Sequence, residues 1–325
     1  MKIARYATFF VALVVLVALS VGATTDPCAP TTTTTTSTTT TVAPAPTTTV
    51  KPTVVTMACG TYGSVTQGWP ALDLSNKNGT AASPLVYDGR GCVRLVSGGW
   101  QVVMISNASY VTVTGFEIVG PEGAVNPPHG STSGVEIRNS HHIIVKNNNV
   151  HDLGGGGIAA IRSNHVIIDA NRVTRTSRWS PYQTSGISSY EAANIGGSTT
   201  GYSFQITGNT VSDVKNLQGA ISDGNCIIID DGRWTQNTGT PFTGKTYIAR
   251  NTCTANGGRG VHVFQSDNVL AEFNTTSGNV LNVTTAKGEL TAVFASNVTY
   301  RYNTVTPNLG IAVLYKYSAT NVTGP

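Results

Sequence analysis

Charge is what this 325-residue chain has least of: Asp, Glu, Lys and Arg together make up 11% of it. Ordinary soluble domains carry roughly 25%. Helical bundles and coiled coils need charged outer faces and are excluded on that ground. Twenty basic against sixteen acidic groups give a net charge of only +4 with no basic run, so a nucleic-acid partner is not expected. Aromatic residues are sparse at 7%. The spacings of zinc fingers, P-loops and nucleophile elbows are missing, and so is the leucine pattern of leucine-rich repeats.

The N-terminus has its own composition. Lys2 and Arg5 precede an apolar run from Phe9 to Val21, and Val21, Gly22 and Ala23 offer small residues for cleavage. Residues 1–23 therefore read as a secretory signal. The rival reading, an uncleaved anchor, needs about 20 apolar residues, more than the run supplies. Residues 24–55 are rich in Thr, Pro, Ala and Val. Such a tract cannot bury enough apolar surface to offset ordering entropy and suits an O-glycosylated linker. Asn-x-Ser/Thr triplets at Asn78, Asn107, Asn274, Asn282, Asn297 and Asn321 agree with a secreted, extracellular glycoprotein. The cysteines number five, so they cannot all pair within one chain. Cys59 with Cys92 is the expected disulfide, while Cys226 and Cys253 could pair or simply fill the interior.

From Tyr110 onward one pattern recurs: a β-branched run, two residues, Asn, one residue, an apolar residue. The Asn positions are Asn148, Asn171, Asn209, Asn251, Asn274 and Asn303, stepping by 23, 38, 42, 23 and 29 residues, and Phe116 holds the same place in an earlier copy. Between them lie short second strands, often opened by glycine, as in Gly134–Ile137, Gly157–Ala160, Gly186–Ser189 and Gly260–Val263. Strands this short at a step near 23 are too small for propeller blades. They predict an all-β fold, a right-handed parallel β-helix with loop insertions over residues 56–325. Each coil is stable only when stacked, and an Asn at one corner of every coil can bond the next Asn and the backbone. Asn274 should then point inward and carry no glycan.

Aligning the second strands places Glu136, Ala159, Ser188, Ile228, His262 and Thr291 in one outward row. The long insertions, between Asn171 and Asn209 and between Asn209 and Asn251, would wall that row into a groove suited to an extended polymer. Loop candidates are His151-Asp152, Arg175, Arg178, Trp179, Tyr182, Lys215 and Asp223, with Arg259 and Asp230-Asp231 flanking the row.

Several segments resemble secreted β-helix proteins of the pectate lyase superfamily, and within them the β-helix alginate lyases. They are His151–Ile158, Trp179–Tyr182 with Thr184–Ile187, Asp223–Asp231 and Gly257–Phe264. The resemblance spans Tyr110 to Pro307 and implies β-elimination on an acidic polysaccharide by a monomeric enzyme, free of the membrane after signal cleavage. Elimination must neutralise a uronate carboxylate, remove the C5 proton and protonate the leaving O4. Arg259 suits the first task, its planar fork matching a carboxylate. Tyr182 and His262 are acid–base candidates. Trp179, Arg178, Asp223, Asp230, Asp231 and His151 are substrate-binding candidates.

The base is where the chain departs from such lyases. Ala220 stands where the family pattern leads one to look for a lysine, and Cys226 replaces the last Gly of a D-G-N-G stretch. Lys215, on the same insertion, is the alternative amine. Asp223, Asp230 and Asp231 could also supply oxygens to calcium. Plainer readings stand beside these: Asp230-Asp231 as a turn cap, His151 as a hydrogen-bonded corner, Arg178 as a solvated charge, Lys287 and Glu289 as a surface pair. Two other functions remain open. One is an inverting glycoside hydrolase using Asp223 with Asp230 or Asp231. The other is a non-catalytic wall or adhesion protein that binds carbohydrate.

Overall fold

The computed structural model describes residues 50–121, 131–180, 182–215, 223–282 and 287–324. The signal, most of the linker, Cys28 and Ala220 lie outside them. Every strand pairing is parallel, and no helix occurs among the described residues. The chain winds through three strand positions per turn. Strands such as His141–Lys146, Asn164–Asp169 and Tyr202–Thr207 form the first face. Three-residue strands such as Asn149–His151 and Arg172–Thr174 follow the ladder asparagines as the second. The third face comprises Ser133–Arg138, Ile158–Ile161, Ile187–Tyr190, Ile227–Asp230, Val261–Phe264 and Gly288–Val293. The solenoid starts slightly earlier than the composition suggests: Thr53–Thr56 pairs with Leu85–Asp88.

Inward side chains stack in columns. On the third face Val135, Ile158, Ile187, Ile227, Val261 and Leu290 are in register and wholly buried. On the first face Val145, Ile168, Ile206, Ile248 and Ala271 do the same. Each buried Ile or Val contributes about 1.5–3 kcal/mol, and only because a neighbouring coil covers it.

The asparagine ladder forms as the repeat requires. The backbone N–H and Nδ2 of Asn148 donate to Oδ1 of Asn171 at 3.0 and 3.1 Å. The same pair of bonds links Asn171 to Asn209, Asn209 to Asn251, Asn251 to Asn274 and Asn274 to Asn303. Phe116, in the earlier copy, donates its N–H to Asn148 Oδ1. Asn274 is buried inside the ladder.

A second ladder runs five residues further on. Val214 N–H donates to Asn256 Oδ1, Asn256 donates to Asn279, and Asn279 donates to both oxygens of Glu289 at 2.8 and 2.7 Å. Glu289 is therefore fully buried and not half of a surface pair. Burial raises its pKa despite the bonds from Asn279. Lys287 is exposed and sits over the Tyr315 ring at 5.9 Å. Cys59–Cys92 and Cys226–Cys253 are both disulfides.

Candidate functional site

The outward row on the third face is real. Pairing runs Met104–Glu136–Ala159–Ser188–Ile228–His262–Thr291–Tyr315 without a slip. Two residues on, Ile161, Tyr190, Asp230 and Phe264 make a parallel row. Strand alternation puts both rows on the outer surface. A cavity of 480 Å³ lies over Glu136, Ala159, Ser188 and Ile228, walled by Trp100, Tyr182, Asp223 and Gln236. A second, of 230 Å³, continues over Ile228, His262 and Phe264 to Arg259 and shares Gln183, Asp223, Asp230 and Gln236 with the first. Together they form a groove crossing successive coils, with walls from the two long insertions.

Burial sets the electrostatics of this groove. Asp223 is raised to about 6, chiefly by desolvation, with Arg259 and Asn225 opposing. Asp230 is raised to about 7 by desolvation and then by the charges of Asp223, Asp231 and Glu191. Its Oδ1 is buried and has no hydrogen-bond partner among the described residues. Two carboxyl groups that exchange protons near neutrality thus share one groove, the condition for acid–base work. Arg259 is held by Asn225, whose Oδ1 accepts from its backbone N–H at 2.9 Å and from a guanidinium N–H at 3.4 Å. Desolvation lowers the Arg259 pKa while Asp223 resists the change. His262 is 4% exposed, with Nδ1 at 2.6 Å from Thr291 Oγ1. Desolvation and Arg259 push its pKa well below the usual value, so it is a neutral wall of the groove. Tyr182 is 56% exposed at the rim, its ring centroid 6.4 Å from that of Trp100.

Directly after Tyr190, Glu191 is fully buried and accepts from Arg162 Nε at 2.8 Å and from Asn237 Nδ2. Burial alone would raise its pKa, but these bonds and one from Tyr190 lower it. Tyr190 is pushed up to about 12 by burial and by the carboxylates of Glu191, Asp230 and Asp231.

Of the sequence candidates, Tyr182, Asp223, Asp230, Arg259 and His262 converge here. Others do not. Lys215 Nζ lies 2.6 Å from Asp213 Oδ1, and Arg178 donates to that same oxygen at 3.3 Å. Both are committed to an ion pair, and neither lines the groove. Trp179 is 41% exposed but also outside the lining. His151 belongs to the second face, with Nδ1 2.7 Å from Asp152 Oδ2 and Nε2 3.1 Å from Glu117 Oε1, and Arg175 also grips Asp152. The corner reading holds for it.

Asp231 is wholly buried, and its two oxygens accept from Thr235 N, Thr235 Oγ1 and Gln236 N. It caps a turn, so Asp223, Asp230 and Asp231, which could have supplied oxygens to calcium, do not come together as one set. Among the described residues no three His, Cys, Asp or Glu side chains gather to hold a metal. Trp100, Gln183, Tyr190 and Gln236 were not singled out from the sequence. Tyr190 could have been: it stands two residues beyond Ser188 of the outward row.

No protein-family model matches the sequence, and no curated protein matches it. Among solved structures, the chain is similar to an alginate lyase from Paenibacillus sp. str. FPU-7. Identity is 13% over 84% of this chain and 89% of that one, with a TM-score of 0.54. It also matches the A-module of the Azotobacter vinelandii mannuronan C-5 epimerase AlgE4, at 13% identity over 84% and 87%, TM-score 0.41. Pectate lyase Pel9A matches at 14% identity over 82% and 70%, TM-score 0.46. The fold is a right-handed parallel β-helix, as the repeat implies.

Proposed function

We propose that the chain is a secreted, monomeric polysaccharide lyase that cleaves an acidic, uronate-containing polymer by β-elimination in the third-face groove. One observation carries the reading: Arg259 lines the groove beside two carboxyl groups, Asp223 and Asp230, raised to about 6 and 7. In the form with Asp223 protonated and Asp230 ionised, most populated between about pH 6 and 7, the pull of Asp223 on Arg259 is weakened and the guanidinium can pair with a substrate carboxylate. That neutralisation makes the sugar C5–H acidic. Asp230 in its ionised form then removes the C5 proton. The C5–H electron pair forms the C4–C5 double bond, the C4–O4 bond breaks, and Tyr182 at the rim protonates O4. Asp230 replaces Lys215 as the base, because Lys215 is bound to Asp213. That one similar structure is an alginate lyase agrees with the choice of polymer class.

Hydrolysis is the second reading, favoured by the two carboxyls of unequal proton affinity in one groove. Incubation with alginate, polygalacturonate and glucuronan separates the two. Elimination yields new reducing ends together with the ultraviolet absorbance of unsaturated uronates, and hydrolysis yields reducing ends alone. Retained polymer without either product would leave the adhesion function.

A further inference from the structure

A second cleft lies on the first face, away from the groove just described. Tyr110, His142 and His165 hold equivalent positions on three successive coils, each in the left-handed region at φ 54°, 56° and 48°. That backbone is costly for ring-bearing residues. Their rings stack face to face, Tyr110 on His142 at 4.3 Å and 12°, His142 on His165 at 4.4 Å and 5°. The column then stops. On the next coil the equivalent residue is Ser203, since Phe204 pairs with Val166. Tyr202, 42% exposed, stands beside this gap and leans on Tyr247 at 5.3 Å.

The gap is part of a 350 Å³ cleft with Ile144 and Ile167 in its floor. Two of the residues lining it, His165 and Ser203, carry buried polar atoms, Nε2 and Oγ, with no hydrogen-bond partner among the described residues. Beyond Tyr202 a further 320 Å³ hollow follows the coils past Lys245, Asn268 and Asn297.

We infer that this cleft is a carbohydrate-binding site, in which a pyranose of an extended polysaccharide occupies the place left open after His165. A pyranose offers an apolar C–H face to the imidazole and to Tyr202, and hydroxyl groups at its rim for the two unsatisfied atoms. A purely aromatic ligand would stack but leave both atoms unpaired, at a cost. The hollow past Tyr202 lets the polymer continue along the stack. The site would hold substrate on a face opposite in role to the cleavage groove, and it does not depend on elimination being the reaction.

Affinity electrophoresis through gels containing alginate, polygalacturonate or a neutral β-glucan tests the assignment. Tyr202→Ala removes a wall, and Ser203→His extends the ring column into the gap. A stacking contact contributes about 0.5–1.5 kcal/mol, so each variant should weaken retention by roughly two- to tenfold. Thermal midpoints should stay near the parent's, and the rate on a short soluble oligouronate, read separately, should be unchanged. Retention equal to the parent's in both folded variants overturns the inference, and so does a parent retained by none of the three gels. Absence of cleavage with retention still sensitive to the variants would overturn the lyase reading and leave this one standing.

Discussion

Cys226 and Cys253 are bonded, with Cα atoms 5.6 Å apart, at a rung where neighbouring coils set glycine against valine. A Cβ on Gly134 would meet Val150 Cγ1 at 2.6 Å, one on Gly157 would meet Val173 at 2.5 Å, and one on Gly186 would meet Val211 at 2.6 Å. Cys226 continues the glycine column and Cys253 the valine column. A covalent bond thus takes the place of a contact too close for any other pair of side chains. It also pins the chain next to Asn225, which holds Arg259.

The double substitution Cys226→Gly with Cys253→Val restores the rung of the adjacent coils. It should fold to the same β-rich spectrum and lose about 3.5 kcal/mol of stability in denaturant unfolding, the loop-closure contribution of a bond spanning 27 residues. The single change Cys226→Ala should fare worse, since its Cβ keeps the crowding without the bond. If the double variant failed to fold while the single one did, the equivalence of this rung with its neighbours would be wrong.

The ladder offers a graded test. Asn209→Ala removes the acceptor for two Asn171 donors and strips the donor from the Ile168 and Thr207 carbonyls. Buried groups left unpaired cost about 1–3 kcal/mol each, so urea unfolding should show a loss of at least about 2 kcal/mol. Asn303 is half-buried at the end of the ladder, where water can substitute. Asn303→Ala should cost visibly less.

How far the sequence could be read follows from what repeats. The ladder and the outward row were legible because the same chemistry recurs in one register, and each copy corroborates the rest. Even the second ladder left a trace: Asn256 and Asn279 follow Asn251 and Asn274 by five residues each. Glu289, which closes it, was misread because its partner, Asn279, stands ten residues away on the same turn, outside the strand that carries Glu289. His151, Lys215 and Arg178 stand outside the groove for a related reason. A charged side chain goes to whichever carboxylate the fold brings near: Glu117 meets His151 and Asp213 meets Arg178 only in three dimensions, while Lys215 pairs with Asp213 two residues before it. Asp230 is the last residue of its strand and faces the groove, whereas Asp231 lies just past the strand end and turns to cap Thr235 and Gln236.

Glycan occupancy should follow burial. In protein secreted from a eukaryotic host, peptide mass spectrometry should find sugar at exposed acceptors such as Asn107, Asn297 or Asn321 and none at Asn274. The Asn274 amide donates to both Ile248 O and Asn303 Oδ1, and a glycan there would break the ladder. A glycosylated Asn274 in folded protein would contradict its inward placement.

Raised carboxyl pKa values link stability to pH. Asp223 and Asp230 move from the ordinary 3.8 to about 6 and 7 on folding, so between these values the native chain binds more protons than the unfolded one. Their contribution is full below about pH 4 and is lost as pH rises through 6 and 7. Glu191, Asp231 and Arg259 face the pair and set how steep the loss is. Asp230→Asn should flatten the decline in unfolding free energy across that window. An unchanged slope would show that Asp230 does not carry the shifted proton.

The same residue divides binding from chemistry. Asp230→Asn keeps the size of the side chain and the groove while removing the proton acceptor, so turnover on a uronate polymer should fall by roughly 10²–10⁴-fold with KM little changed. Arg259→Lys keeps the charge but loses the fork that matches a carboxylate, so it should depress kcat and raise KM together. Tyr182→Phe should lower kcat with KM little changed, since the phenol supplies the proton to O4. Activity on acidic polymer should peak between about pH 6 and 7, where the form with Asp223 protonated and Asp230 ionised is most populated, and fall on either side. A profile with no acidic limb in the parent, or one left unmoved by Asp230→Asn, would place the base elsewhere in the groove.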